Sequence, residues 1–213
     1  MRTLVEVTAH PDGRLVHRAE GALAVRQTGS HAVHLAGTAV GPLDGDEVRV
    51  VLRVLAGARL HVRTVAASVV LAGISRVVWE LEVAEGACLQ LAPEPTVVTA
   101  RAHHRSEVRA ALHAGAGLVL TERVQLGRAG EGPGRWVGLL HVDRDGRALL
   151  RHEVGLGPGS AGHDVLGAPT ALVSTLRVPD DAAADVREGC AVLPLAGGGT
   201  LTTELRERLW STA

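Results

Sequence analysis

The chain has no lysine, no asparagine, no phenylalanine and no tyrosine, and Ile74 is its single isoleucine. The missing residues share AT-rich codons, so this bias reflects a source genome rich in G and C rather than a mechanism. It still excludes chemistry. Without lysine no Walker-type phosphate loop is complete, and no internal Schiff base with pyridoxal phosphate can form. Three tryptophans are the only aromatics and the formal net charge is −1. A basic stripe and stacking platforms are therefore absent, and nucleic acid is not an expected partner. Cys88 and Cys190 are solitary and distant. They form neither a zinc spacing nor a disulfide framework, which places the expected site of action in the reducing cytoplasm. Charged residues interrupt Met1 to Arg18, so this stretch reads as a strand pair turning at Pro11-Asp12-Gly13 rather than a signal peptide. No apolar run reaches the roughly 18 residues of a membrane helix, so no membrane partner is expected.

What is present is aliphatic and periodic. Thirty valines and 29 leucines dominate a chain that is 46% hydrophobic, and valine suits a pleated, half-buried surface. The pairs Gly57-Ala58, Gly86-Ala87 and Gly115-Ala116 recur every 29 residues. Apolar residues alternate around each pair. The first copy has Val48, Val50, Leu52, Val54, then Leu60 and Val62; the second has Val77, Trp79, Leu81, Val83, then Leu89 and Leu91. The third has Val108, Ala110, Leu112, then Leu118 and Leu120. A period of two marks strands with one buried face, and a fixed repeat of this length marks stacked units. The expected fold is all-β, with the 29-residue strand units in a β-helical or sandwich-like arrangement and the whole chain, 1–213, forming one domain. Parallel register would set Arg53 beside Glu82 and Glu80 beside Arg109.

Around the repeats, Trp136 to Asp143 and Arg147 to Val154 read as a hairpin turning at Asp145-Gly146. Gly155 to Ala168 reads as a long loop and Thr170 to Val178 as a strand. Asp180 to Glu188 suggests one or two helical turns. Leu201, Leu205 and Leu209 fall at i, i+4 and i+8, which predicts a short C-terminal helix from about Thr202 to Trp210. That helix has two readings: it closes the end of the β core, or it offers an interface to a partner.

No catalytic constellation emerges. Gly157 to Gly162 matches G-x-G-x-x-G, but Gly167 and Pro169 follow where a dinucleotide fold needs a helix. His152-Glu153 lacks the second histidine of a zincin, and no G-x-S-x-G exists. The eleven histidines read mostly as solvated surface residues, since His31/His34 and His103/His104 fall on opposite faces of a strand. The chain is not expected to be an enzyme.

Several short segments, in order, resemble the urease accessory protein D family. They are Gly41-Pro42-Leu43-Asp44-Gly45-Asp46 before the first repeat, Thr64-Val65-Ala66-Ala67-Ser68, and Leu91-Ala92-Pro93-Glu94-Pro95-Thr96-Val97. Leu120-Thr121-Glu122, then Leu126-Gly127-Arg128 and Gly130-Glu131, complete the series. The resemblance implies a mostly β, non-catalytic chaperone and scaffold. Such a protein binds apo-urease and the accessory proteins F and G, and assists nickel delivery, with nickel in transit rather than tightly bound. The alternative is a non-catalytic β-rich module that binds protein or carbohydrate, although only Trp79, Trp136 and Trp210 could stack on a sugar.

The same segments single out Asp46, Glu94, Glu122, Arg128 and Glu131 as candidates for partner binding or for a nickel path; the ligands themselves stay unassigned. Asp46 closes a glycine-flanked turn, where a carboxylate also caps backbone N–H groups. Glu122 follows Leu118 and Leu120 in the alternation and therefore points inward. A carboxylate there must be paired, hydrogen-bonded or in contact with a wet path. Arg128 is its expected partner if the role is structural.

Overall fold

The computed structural model describes residues 1–161 and 163–209. It contains strands and turns, and no helix occurs among the described residues. The N-terminal part supplies β1 (Arg2–Ala9), β2 (Leu15–Glu20), β3 (Leu23–Gly29) and β4 (Ala32–Gly37). The repeats supply β5 (Glu47–Val54), β6 (Arg59–Thr64), β7 (Ser68–Val70), β8 (Gly73–Val83), β9 (Cys88–Leu91), β10 (Thr96–Val98), β11 (Ala102–Leu112) and β12 (Gly117–Leu126). The remainder forms β13 (Arg135–Arg144), β14 (Arg147–Leu156), β15 (Ala171–Val178), β16 (Asp185–Arg187), β17 (Cys190–Pro194) and β18 (Thr200–Arg206).

Each repeat crosses from one sheet to the other. The seven-stranded sheet runs β14-β13-β11-β8-β5-β1-β2, and the eleven-stranded sheet runs β16-β17-β18-β15-β12-β9-β6-β4-β3, with β10 joining β12 to β7 beside that path. Strands from successive copies are parallel and sit one repeat apart. Val50 faces Trp79 and Trp79 faces Val108 in one sheet, while Leu60 faces Leu89 and Leu89 faces Leu118 in the other. The period extends one copy further back than the apolar series suggests, because Ala32 pairs with His61.

The glycine-alanine pairs are the corners of this coil. Gly57, Gly86 and Gly115 take φ of 70°, 62° and 66°, a left-handed conformation that a side chain disfavours. Ala58, Ala87 and Ala116 follow, each at most 1% exposed, with their methyls turned into the core. The same bond recurs at every corner: Ala58, Ala87 and Ala116 N–H groups donate to the carbonyls of Leu55, Ala84 and His113.

The expected register holds for both charge pairs, and the ion pairing follows it at one of them. Arg53 and Glu82 are register partners with 3.9 Å between Nε and Oε2. Glu80 faces Arg109 in the ladder but bonds diagonally to Arg49, at 2.9 and 2.7 Å, in a two-pronged contact. Arg109 turns instead to Glu107, 2.7 Å away on its own strand.

The expected C-terminal helix is not formed. Residues Thr200–Arg206 are strand β18, antiparallel to β15 on one side and β17 on the other; the predicted end at Trp210 lies outside the described residues. The reason is that i, i+4 spacing is even. It puts Leu201 and Leu205 on one face of a strand as well as of a helix, and the β-branched Thr200, Thr202 and Thr203 favour the strand. Leu201 joins the main core at 2% exposure. Likewise Asp180 to Glu188 forms no helical turn: it is irregular until β16, which pairs with β17. Residues there cap other groups instead, as Thr200 Oγ1 donating to Asp180 shows.

Candidate functional site

Among the described residues, most buried apolar side chains fall into two clusters rather than one. The sequence of each central strand shows what parts them. Along β11 the inward positions run Ala102, His104, Ser106, Val108: Ala102 belongs to the smaller cluster and Val108 to the larger. Along β12 Glu122 stands between Leu120 of the larger cluster and Val124 of the smaller. Ser174 on β15 and Gly138 on β13 hold the equivalent place, as register partners of Glu122 and Ser106. A polar belt therefore crosses the interior between the two apolar clusters.

On the side of β4, β5 and β8 this belt opens into a cavity of about 320 Å³. Val48, Val50, Val77 and Trp79 line it from the seven-stranded sheet together with His104 and Ser106; Leu35, Thr64, Thr96 and Glu122 line it from the other sheet. The segment Ala39–Pro42 and Asp46 complete the wall. The cavity exists because the eleven-stranded sheet is interrupted: β6 gives way to β7, and β9 to β10, at the same point of successive repeats. Pro93 and Pro95 lack the N–H a ladder needs. The Glu94 N–H donates instead to Thr64 Oγ1 at 2.8 Å.

Three of the five candidates share this cavity, namely Asp46, Glu94 and Glu122. Asp46 is 7% exposed. It accepts hydrogen bonds from the Met1 amino group at 2.5 Å and the Leu43 N–H at 2.8 Å, and these hold its carboxyl below the usual range. Glu94 lies 3.6 Å from Arg123, whose guanidinium also donates to the Pro93 carbonyl. Among the described residues Glu122 accepts one hydrogen bond, from Ser106 Oγ at 2.5 Å. It lines the cavity, and burial raises its pKa against the opposing pull of that donor.

Arg128 and Glu131 are elsewhere. They pair with each other at 2.9 Å on the exposed turn after β12, and the Arg128 N–H also donates to Glu131. The expected Glu122–Arg128 pair does not exist. The strand carries Glu122 inward, whereas Gly127, with φ of 74°, turns the chain away before Arg128.

Sequence reasoning missed His104, Ser75 and Ser106. His104 is 4% exposed, and its Nδ1 shares a 2.9 Å hydrogen bond with Ser75 Oγ. Burial pushes its pKa down to about 4, so the ring is neutral at pH 7. The signal was present: extending the third alternation backwards from Val108 places Ser106 and His104 on the core face, and extending the second places Ser75 there. Two polar residues on an otherwise apolar face are costly unless partnered.

These features define a parallel two-sheet β-coil built around an interior chamber whose largely apolar wall carries a few polar side chains. Among the described residues no three His, Cys, Asp or Glu side chains are grouped to fix a metal ion, and no helix is long and apolar enough to cross a membrane. The profile of the family described as "UreD urease accessory protein" matches residues 12–207. Urease accessory protein UreD of Frankia alni is 40% identical over 206 residues, covering 82% of this chain and 68% of that protein. The UreD proteins of Streptomyces avermitilis and Streptomyces coelicolor are 38% and 37% identical, covering 96% and 95% of this chain and 90% and 89% of theirs. The chain belongs to the UreD family of urease accessory proteins.

Proposed function

We propose that this chain is a non-catalytic scaffold in urease maturation that binds apo-urease and the accessory proteins F and G, and that nickel passes through its interior on the way to the urease active site. The observation that supports the passage is the cavity itself. Asp46, Glu94 and Glu122, singled out by their sequence context alone, line one chamber between the sheets. A path for an ion in transit needs oxygen or nitrogen donors along a wet wall, too few at any point to trap it. Glu122 fits, being inward, held by one hydroxyl and open to the cavity. Arg128 and Glu131, paired with each other on an exposed turn, are assigned in this reading to partner contact rather than to the path. Cytoplasmic action accords with two unpaired cysteines.

Two measurements test this. In the first, the chain is co-expressed with accessory proteins F and G and urease, and a complex is recovered by pull-down. In the second, a strain lacking the gene is complemented and urease activity is read. Glu122→Gln keeps the shape and removes the charge; it should leave the complex intact and lower urease activation. Full activation by a folded, complex-forming Glu122→Gln variant excludes Glu122 from the path.

A further inference from the structure

We infer that His104 and Glu122, facing the cavity from opposite sheets, form a halting point that takes a borderline first-row divalent cation in preference to magnesium or calcium. This rests on reading the cavity as a metal path, and it adds the residue that selects the ion.

The geometry is that of a ligand pair held ready. Metal-binding imidazoles commonly have one ring nitrogen fixed by a hydrogen bond, which orients the other. Ser75 Oγ fixes His104 Nδ1 at 2.9 Å, and among the described residues Nε2 has no partner. Ser106 follows two residues along the same face of β11, a rise of about 6.5 Å. Its hydroxyl holds Glu122 Oε1 at 2.5 Å, and Oε2 has no hydrogen-bond partner among the described residues. Both side chains line the same cavity. An ion lodged here meets one imidazole, one carboxylate and water. Two protein ligands bind weakly enough to release it. Imidazole suits nickel and its neighbours, whereas magnesium and calcium favour oxygen alone. The nearby cation does not compete for Glu122, because Arg123 bonds to the Pro93 carbonyl and approaches Glu94.

The test is equilibrium dialysis of the purified full chain against Ni²⁺ alone and against Mg²⁺ alone, with folding checked by thermal melts. The wild-type chain should retain Ni²⁺ better than Mg²⁺. His104→Gln, which can still bond Ser75, should weaken the Ni²⁺ increment by about tenfold or more, the scale typical of disturbed metal ligation. Ser75→Ala keeps the imidazole but frees the ring and should give a smaller loss. Ser106→Ala frees the carboxylate from the bond that orients it and should likewise give a smaller loss. Equal Ni²⁺ retention by wild type and a folded His104→Gln variant overturns the site, as does equal retention of Mg²⁺. Lost urease activation with normal, His104-dependent Ni²⁺ retention counts against the proposed function and leaves the site standing.

Discussion

Strands β5, β8 and β11 cross the seven-stranded sheet without a break, whereas their counterparts across the core, β6–β7 and β9–β10, split where β12 carries Glu122. Both sheets come from the same 29-residue copies, so the contrast isolates what a few residues do. Where Leu or Val continues the alternation on both sheets, the ladder continues and the main core fills the interior. Just after Thr64 and before Pro93, which are one repeat apart and in line with Glu122, the first two copies leave the ladder. The third copy stays in it, and β15 pairs along its other side. The chamber is thus an interruption confined to one wall of an otherwise regular coil.

Substitutions in the continuous part should cost most. Leu89 is 2% exposed and packed in the main core; Leu89→Ala should lose about 2–5 kcal/mol in urea unfolding, the range for a leucine whose cavity cannot collapse. A loss well under 1 kcal/mol would show that the coil is looser than its burial implies.

The belt should reveal itself through pH. The pKa of His104 falls from 6.5 to about 4 on folding. The neutral ring's contribution is fully present above pH 6.5 and disappears as pH falls towards 4, on the order of 3 kcal/mol in all. His104→Gln should flatten that arm of the stability profile. Glu122 acts in the opposite sense. Its raised pKa means that folding favours the protonated acid, so stability falls as pH rises past 4.5. Glu122→Gln should therefore gain on wild type as pH increases. Identical acid profiles for wild type and His104→Gln would place that imidazole in water.

Gly138 sharpens the boundary between belt and smaller core. A Cβ there would lie 2.3 Å from the Trp136 ring, which is itself fully buried. Gly138→Ala should cost about 1–3 kcal/mol by overpacking, with a shift in tryptophan fluorescence as the ring moves. The smallest effect belongs outside the cavity. Arg128→Ala removes an exposed pair and should leave the urea midpoint unchanged, since such pairs add little. A clear drop would mean that the turn after β12 supports the chamber.

Much of the coil was legible in the sequence because its cause is local. Alternation fixes which residues face inward, and the recurring Gly-Ala pair fixes where the chain turns. The hairpin at Asp145-Gly146 and the inward pointing of Glu122 follow from the same rules. The C-terminal segment was misread because an even spacing of leucines fits strand and helix alike, and the choice fell to β15 and β17, which leave a ladder position between them. Which segments join the cavity was also out of reach. Asp46, Glu94 and Glu122 belong to three separate stretches of chain, as do Ser75, His104 and Glu122. Sequence set the identity and facing of each of these residues, through side-chain period and backbone freedom. Only the stacking of the repeats brought them to one chamber and assigned Ser106, not Arg128, to hold Glu122, because contacts between strands depend on register and on where a ladder breaks.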